Sequence, residues 1–298
     1  MASYDFSLMQ RLAAEGRGEF HETPNHVVVH IPGQERLVVG FDNMSWNREE
    51  GDRKPWAFDM VHKRGWGMVG VMCKRTDWFR DPALFAILNG MRDCGVFASY
   101  PQVSMYGSSM GAYGACAFAS LAPGCTVVAF SPQSTLSKEL APFENRYDRA
   151  MRHADWTTGP YLDAAEGLAA AGKAYLVYDP LVPEDKAHID RLTLPNCHVL
   201  GFHHLTHKVP PTLKRMEILK PVATEMVEGT MTPKRFYELL RHRRNAIPYT
   251  IRLIEHAVER GHMKLALSGV AHARSVKDNW KLRRLQKHLL EQAAGQGL

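Results

Sequence analysis

Two adjacent serines flanked by glycines are the first candidates for chemistry in this sequence. The stretch Gly107-Ser108-Ser109-Met110-Gly111 fits the pattern G-x-S-x-G, with Ser109 at its centre. The pattern has a chemical meaning when it joins a strand to a helix, because the sharp turn then exposes the central hydroxyl. QVSMY before it predicts a strand, and GAYGACAFA after it predicts a helix of small residues. We therefore predict that Ser109 is a nucleophile and that Ser108 is packed.

A serine hydroxyl is a weak nucleophile, so it needs a base and an acid that orients the base. In the nucleophile-elbow arrangement the acid follows the serine in the chain, and the histidine follows the acid. Asp179 comes directly after the apolar strand AYLVY, whereas Asp185 and Asp190 lie in the next predicted helix. We favour Asp179 as the acid and interpret Asp185 and Asp190 as residues of a solvated helix face.

Three histidines follow the next predicted strand, CHVLGF, and any of them could be the base. His207 lies furthest into the loop and is favoured, whereas His203 and His204 are more typical of packed, hydrogen-bonded histidines. The three could instead bind a metal, but no cysteine or acidic set accompanies them in the sequence. We predict no metal and no cofactor, since nucleotide-binding glycine patterns are also missing.

Short apolar runs alternate with helical segments, which predicts an α/β fold with a mostly parallel sheet. The first two runs, His26–Pro32 and Arg36–Asp42, are close enough to form a hairpin that turns at Gly33. We expect this hairpin to be an antiparallel edge. Later strands are predicted at 65–73, 102–107, 126–132, 174–180 and 197–202.

The order Ser109, Asp179, His207 and the sequence D-P-L-V-P at Asp179 resemble the α/β-hydrolase superfamily over roughly residues 26–225. The resemblance implies an eight-stranded, mostly parallel twisted sheet flanked by helices. It also implies an oxyanion hole of two backbone N–H groups, one of them from Met110. The second would come from the loop after RLVVGFD, where Asn43 is favoured and its two neighbours remain open.

Aromatic residues cluster before the elbow and are candidates for substrate contacts. Trp46, Trp78 and Phe79 fall on loops at the carboxyl ends of predicted strands, where open α/β sheets bind ligands. They could line an acyl pocket, and packing at the edge of the core is the alternative.

We divide the chain into a hydrolase-type domain, 1–228, and a basic helical extension, 229–298. Residues 137–172 are predicted to be a small, cap-like helical insertion. Residues 233–298 contain 14 Lys/Arg and five Asp/Glu, which gives this region a net charge of +9. The whole chain carries +6, so residues 1–232 carry −3. The extension could be a solvated face, or it could bind a second copy or a protein partner. Few aromatics accompany its charges, so nucleic acid is not predicted.

The 298 residues hold five scattered cysteines without a C-x-x-C pair, which is typical of a reducing cytoplasm. No signal peptide and no membrane span are expected.

Together, the candidate triad and the resemblance predict a serine hydrolase, such as an esterase, lipase or thioesterase, that acts on a small-molecule acyl substrate. An acyltransferase with the same triad and an inactive scaffold acting through its C-terminal helices are the alternatives.

Overall fold

An eight-stranded sheet forms the centre of the computed structural model, which describes residues 4–44 and 51–295. Its strand order is β10-β9-β8-β7-β4-β6-β3-β2, and β1 and β5 form a separate two-stranded pair. The strands are β1 Tyr4–Asp5, β2 Glu19–Glu22, β3 His26–Ile31, β4 Gln34–Phe41, β5 Gly51–Asp52, β6 Trp66–Cys73, β7 Gln102–Ser108, β8 Thr126–Phe130, β9 Lys173–Tyr178 and β10 Cys197–Gly201.

Six neighbouring strands of the sheet are parallel, and only β3 runs against its neighbours β2 and β6. This arrangement confirms the predicted mostly parallel α/β sheet. The predicted hairpin of β3 and β4 is wrong, because β4 lies between β6 and β7. Residues 37–41 of β4 are all buried, and a strand that is apolar on both faces belongs in the middle of a sheet. The edge strand β2, with the polar sequence EFHE, was not predicted.

Helices cover both faces of the sheet and make up nearly all of the C-terminal region. They are α1 Ser7–Glu15, α2 Phe58–His62, α3 Pro82–Asp93, α4 Met110–Ala117, α5 Asp148–Met151, α6 Ala164–Leu168, α7 Pro183–Leu192, α8 Val209–Arg215, α9 Leu219–Val227, α10 Pro233–Leu239, α11 Ile247–Glu259, α12 Met263–Val276 and α13 Trp280–Gly295. Two 3₁₀ turns, Phe118–Leu121 and Leu240–Asn245, complete them.

The two faces of the sheet carry separate cores, as the alternation of side chains along a strand requires. On β3, Val28 belongs to the core under α3, α4 and α7, whereas Val27 and Val29 belong to the core under α1, α8 and α9. Phe236 of α10 and Tyr249 of α11 belong to the second core as well. The part of the predicted extension before residue 250 therefore packs on the main sheet.

Helices α11 to α13 form a third core of their own. Its buried members are Ile254, Met263, Ala266, Val270, Leu282, Leu289 and Ala293. Within the described ranges, no helix combines the length and the apolar character that crossing a membrane requires.

The turn between β7 and α4 depends on close packing against the end of β4. A Cβ built on Gly111 would lie 2.4 Å from the carbonyl oxygen of Phe41 and 2.7 Å from that of Asp42. These are backbone atoms, so a side chain at this position would push α4 away from the sheet.

We expect Gly111→Ala to lower the free energy of unfolding by about 1–3 kcal/mol, the usual cost of overpacking. Gly90→Ala is the matched control, because Gly90 lies in the interior of α3 and nothing is within 4 Å of a Cβ built there. Removing the backbone freedom of glycine from a helix should raise stability by about 0.5–1 kcal/mol. Urea unfolding measures both values, and equal effects at the two glycines would contradict this account of the turn.

Candidate active site

Ser109 lies in the turn between β7 and α4 with a backbone that few residues adopt. Its φ is 54° and its ψ is −119°, and its N–H donates to the carbonyl oxygen of Phe130 at 2.8 Å. A non-glycine residue in this region costs of the order of 1–3 kcal/mol, which the packing around the turn must offset. Ser109 is half-buried, whereas Ser108 is buried. The two serines therefore differ in burial as predicted, and Ser109 is the more accessible of the two.

His207 brings the nucleophile turn and a second loop together. Its Nε2 lies 2.8 Å from Ser109 Oγ, and its Nδ1 lies 2.9 and 2.8 Å from the two carboxylate oxygens of Asp185. His207 belongs to the loop between β10 and α8, at the carboxyl edge of the sheet, as predicted. Nδ1–H donates to the carboxylate, which leaves Nε2 as the acceptor for the serine hydroxyl.

The prediction that Asp179 is the acid beside His207 is wrong. Asp179 Oδ1 accepts the N–H of Leu181 at 2.9 Å, and Oδ2 accepts the N–H of Thr206 at 2.7 Å. An aspartate at a strand end commonly caps its own turn in this way. Asp179 thus ties the strand end to the loop that carries His207, and Asp185 makes the contact with the imidazole.

The position of Asp185 follows from the periodicity of α7. Residues at i, i+4 and i+7 share one helix face, and Ile189 and Leu192 are buried on the face that Asp185 shares. The Asp185 side chain is fully buried. Reading this face as apolar, instead of reading the whole helix as solvated, would have identified Asp185 as a buried acid.

A chain of ion pairs extends from Asp185 away from His207. Arg146 donates to Asp185 Oδ1 at 2.7 Å and to both oxygens of Glu144, whose Oε2 is 2.9 Å from His188 Nε2. Burial opposes ionisation of Glu144, but the hydrogen bonds from His188 and Arg146 lower its pKa to about 2. The buried carboxylates of Glu144 and Asp185 are therefore held by a shared guanidinium.

Tyr147 places a second hydroxyl beside the imidazole of His207. Its oxygen lies 3.2 Å from His207 Nε2, and its ring packs on Trp78 with the centroids 4.8 Å apart. Burial raises the pKa of Tyr147 to about 12, so the phenol is protonated at neutral pH and can donate. Tyr147 comes from the predicted cap-like insertion, and no sequence signal marked it.

The other predicted site residues fall in different surroundings. Met110 is the first residue of α4, and Asn43 follows the end of β4, which packs against α4. Trp78 and Phe79 are fully buried, and Trp78 lies behind Tyr147. Trp46 lies outside the described residues.

A cavity of about 640 Å³ lies at the other edge of the sheet. Its lining includes Gln102, Thr126 and Lys173, which are the first residues of β7, β8 and β9. Ser109 lies beyond the last residue of β7, so this cavity does not serve the serine.

The sequence matches no protein-family model and no curated protein. Similar solved structures include three that cover most of this chain. They are the capsule O-acetyltransferase of Neisseria meningitidis serogroup A (11% identity, 69% of this chain, 93% of that chain, TM-score 0.46), carboxyl esterase 2 of the mycorrhizal fungus Tuber melanosporum (12%, 70%, 85%, 0.46) and MPT51 of Mycobacterium tuberculosis (12%, 72%, 100%, 0.43). Identities this low leave the function to be judged from the chain's own residues.

The order of the strands in the large sheet identifies the fold. Counted along the chain, the eight strands of the large sheet lie in the order 1-2-4-3-5-6-7-8, with the second strand antiparallel. The serine turn follows the fifth strand and opens a helix, and a histidine loop follows the eighth. This protein has the α/β-hydrolase fold.

Proposed function

We propose that this protein is a serine hydrolase that cleaves an ester, thioester or amide through an acyl-enzyme on Ser109. The observation that carries the proposal is the hydrogen-bonded series from Ser109 Oγ through His207 to Asp185, with 2.8–2.9 Å between its partners. An inactive scaffold would not need three segments of the chain held in this geometry. The acid in this proposal is Asp185 in place of the predicted Asp179.

In the first half-reaction Ser109 Oγ attacks the substrate carbonyl while His207 Nε2 takes the hydroxyl proton. Asp185 holds the imidazole by Nδ1 and stabilises the imidazolium that forms. The negative charge moves to the carbonyl oxygen, where the backbone N–H groups of Met110 and Asn43 would stabilise it. His207 then gives its proton to the leaving group, and the acyl group stays on Ser109.

The Tyr147 hydroxyl lies on the same side of His207 as Ser109, since both contact Nε2. A leaving group that takes the proton from Nε2 therefore comes within reach of the phenol. We assign Tyr147 the role of donating a hydrogen bond to the oxygen or nitrogen of the leaving group.

In the second half-reaction a water molecule takes the place of the leaving group, and the same proton transfers run in reverse. An alcohol acceptor in place of water would make the enzyme an acyltransferase with an identical acyl-enzyme.

We expect a fluorophosphonate probe to label the wild-type protein and to leave Ser109→Ala unlabelled. Turnover of short p-nitrophenyl esters should fall about 10⁴-fold or more in Ser109→Ala, as the loss of a triad nucleophile does elsewhere. Ser108→Ala is the control and should keep labelling, because Ser108 is buried beside the nucleophile. Labelling that survives Ser109→Ala would contradict the proposal.

The two aspartates should respond very differently to amide substitution. Asp185→Asn should lower kcat/KM roughly 10³-fold, because an amide cannot stabilise the imidazolium and can favour the wrong tautomer. Asp179→Asn should lower it only about tenfold, since it weakens the hydrogen bond to Thr206 without changing the partner of His207. Steady-state kinetics of both variants compare them directly. A larger loss in Asp179→Asn would return the acid role to that residue.

The C-terminal helices hold the loop that carries the base. Arg252 of α11 donates two hydrogen bonds to the carbonyl oxygen of His204, at 3.0 and 2.7 Å. His204 and Thr206, with φ of 66° and 61°, both have left-handed backbones just before His207. A loop with two such residues needs outside contacts to keep one conformation. We therefore assign Arg252 as a positioning residue for His207.

We expect Arg252→Met to lower kcat about tenfold and to leave KM nearly unchanged, because the loop moves and the substrate pocket does not. Arg260→Met removes the same charge from an exposed site at the end of α11 and is the control. The kcat and KM values of the two variants, measured on the same ester, give the comparison. Equal kcat values would show that α11 does not position the base.

A further inference from the structure

A histidine, a cysteine and an aspartate meet in the interior, on the far side of β4 from β7. His26 begins β3 and Cys73 ends β6, and the two residues are directly paired across the antiparallel strands. Asp77 lies in the loop that follows β6. One ligand atom from each side chain can be chosen so that all three lie within 4.8 Å of one another. All three residues have no exposed surface.

Two polar atoms of this group lack a hydrogen-bond partner within the described part of the chain. They are Nδ1 of His26 and Oδ2 of Asp77. The other atoms of the pair are satisfied, since His26 Nε2 lies 3.1 Å from Asp77 Oδ1, which also accepts the N–H of Phe79 at 3.1 Å. The guanidinium of Arg75 lies 3.7 Å from Asp77 Oδ2, which is beyond hydrogen-bond distance. A buried carboxylate oxygen without a hydrogen bond is costly, and a bound cation would remove that cost.

We propose that His26, Cys73 and Asp77 bind one Zn²⁺ ion. Imidazole, thiolate and carboxylate together are typical zinc ligands, and the thiolate disfavours Mg²⁺ and Ca²⁺. The second oxygen of Asp77 brings the number of protein donor atoms to four. Binding displaces the thiol proton of Cys73, so one thiolate and one carboxylate balance the charge of the ion.

The surroundings of His26 support a metal-bound imidazole. A histidine that binds zinc through one nitrogen commonly donates its other N–H to a carboxylate, which fixes the ring. The carboxylate of Asp81 lies 3.6 Å from His26 Nδ1, on the side away from Asp77. Asp81 is itself fixed, because it accepts hydrogen bonds from Asn25 and from the N–H of Ala83. Nδ1 makes no hydrogen bond to Asp81 at this distance, so Asp81 is the carboxylate that Nδ1–H would meet when Nε2 binds the ion.

The ion would hold the turn that lies behind Tyr147. Asp77 immediately precedes Trp78 and Phe79, whose φ values of 53° and 58° put two bulky residues in the left-handed region. Trp78 is the residue on which the Tyr147 ring packs. A metal that fixes Asp77 would thus keep this wall of the active site in place without taking part in the reaction.

Metal analysis of the full-length protein, after zinc loading and desalting, tests the proposal. We expect one Zn²⁺ per chain, and we expect Co²⁺ in its place to give a thiolate-to-cobalt charge-transfer absorption. Cys73→Ser should abolish that absorption, and Asp77→Asn should lower metal occupancy. Cys94→Ser changes an exposed cysteine and should behave like the wild type.

Circular dichroism identifies variants that fail to fold, and the wild type supplies a readout that needs no variant. Zinc at a hundredfold excess over its dissociation constant should raise the Tm by about 5 °C relative to chelator-treated protein. Wild-type protein that retains no stoichiometric zinc would overturn the proposal. Cobalt binding that lacks the thiolate absorption, or keeps it in folded Cys73→Ser, would overturn it too. Fluorophosphonate labelling of Ser109 reports separately on the serine, so the two proposals can fail independently.

Discussion

The buried carboxylate of Asp185 is the constraint on which the arrangement of the site depends. It is fully buried between the imidazole of His207 and the guanidinium of Arg146. A buried charge that loses one partner typically destabilises a protein by about 3–5 kcal/mol. Helix α7, the His207 loop and the insertion that carries Arg146 must therefore dock together. The contacts of Asp185 that hold these three elements together also orient the imidazole of His207.

This constraint links residues 137–172, the predicted insertion, to the three residues of the proposed triad. Arg146 contacts Asp185, and the next residue, Tyr147, contacts His207. The two residues lie in the turn before α5, and the Arg146 guanidinium is 5.2 Å from the centroid of the Tyr147 ring. One short stretch thus reaches both Asp185 and His207. Glu144 accepts the remaining donors of Arg146 and ties the stretch to His188 of α7. The same ion pairs that satisfy the buried charges fix the wall in which Tyr147 lies.

Local patterns in the sequence were enough to predict the strand–turn–helix at Ser109, because the glycines on either side report the geometry of the turn directly. His207 could be chosen because its distance from a strand end is also local. The partner of His207 was missed, because helix α7 was interpreted as wholly solvated although Ile189 and Leu192 mark a buried face that Asp185 shares. The hairpin prediction failed because it weighed only the short distance in sequence between β3 and β4. Burial of both faces of β4 requires that strand to lie in the middle of the sheet, between β6 and β7. The prediction of no metal rested on the spacing of cysteines and histidines along the chain, and such spacing does not report that two strands and a loop bring His26, Cys73 and Asp77 together.

The packing of α10 and α11 bears on how the C-terminal region relates to the active site. Phe236 and Tyr249 are buried in the core beneath the sheet, and the Tyr237 hydroxyl donates to the carbonyl of Gly201 at the end of β10. These contacts join the first part of the predicted extension, 229–298, to the second core and to the end of β10. Ile254 is the first buried residue of the third core, and Arg252 lies just before it. Arg252, whose two hydrogen bonds hold the carbonyl of His204 in the His207 loop, therefore lies where the second core meets the third.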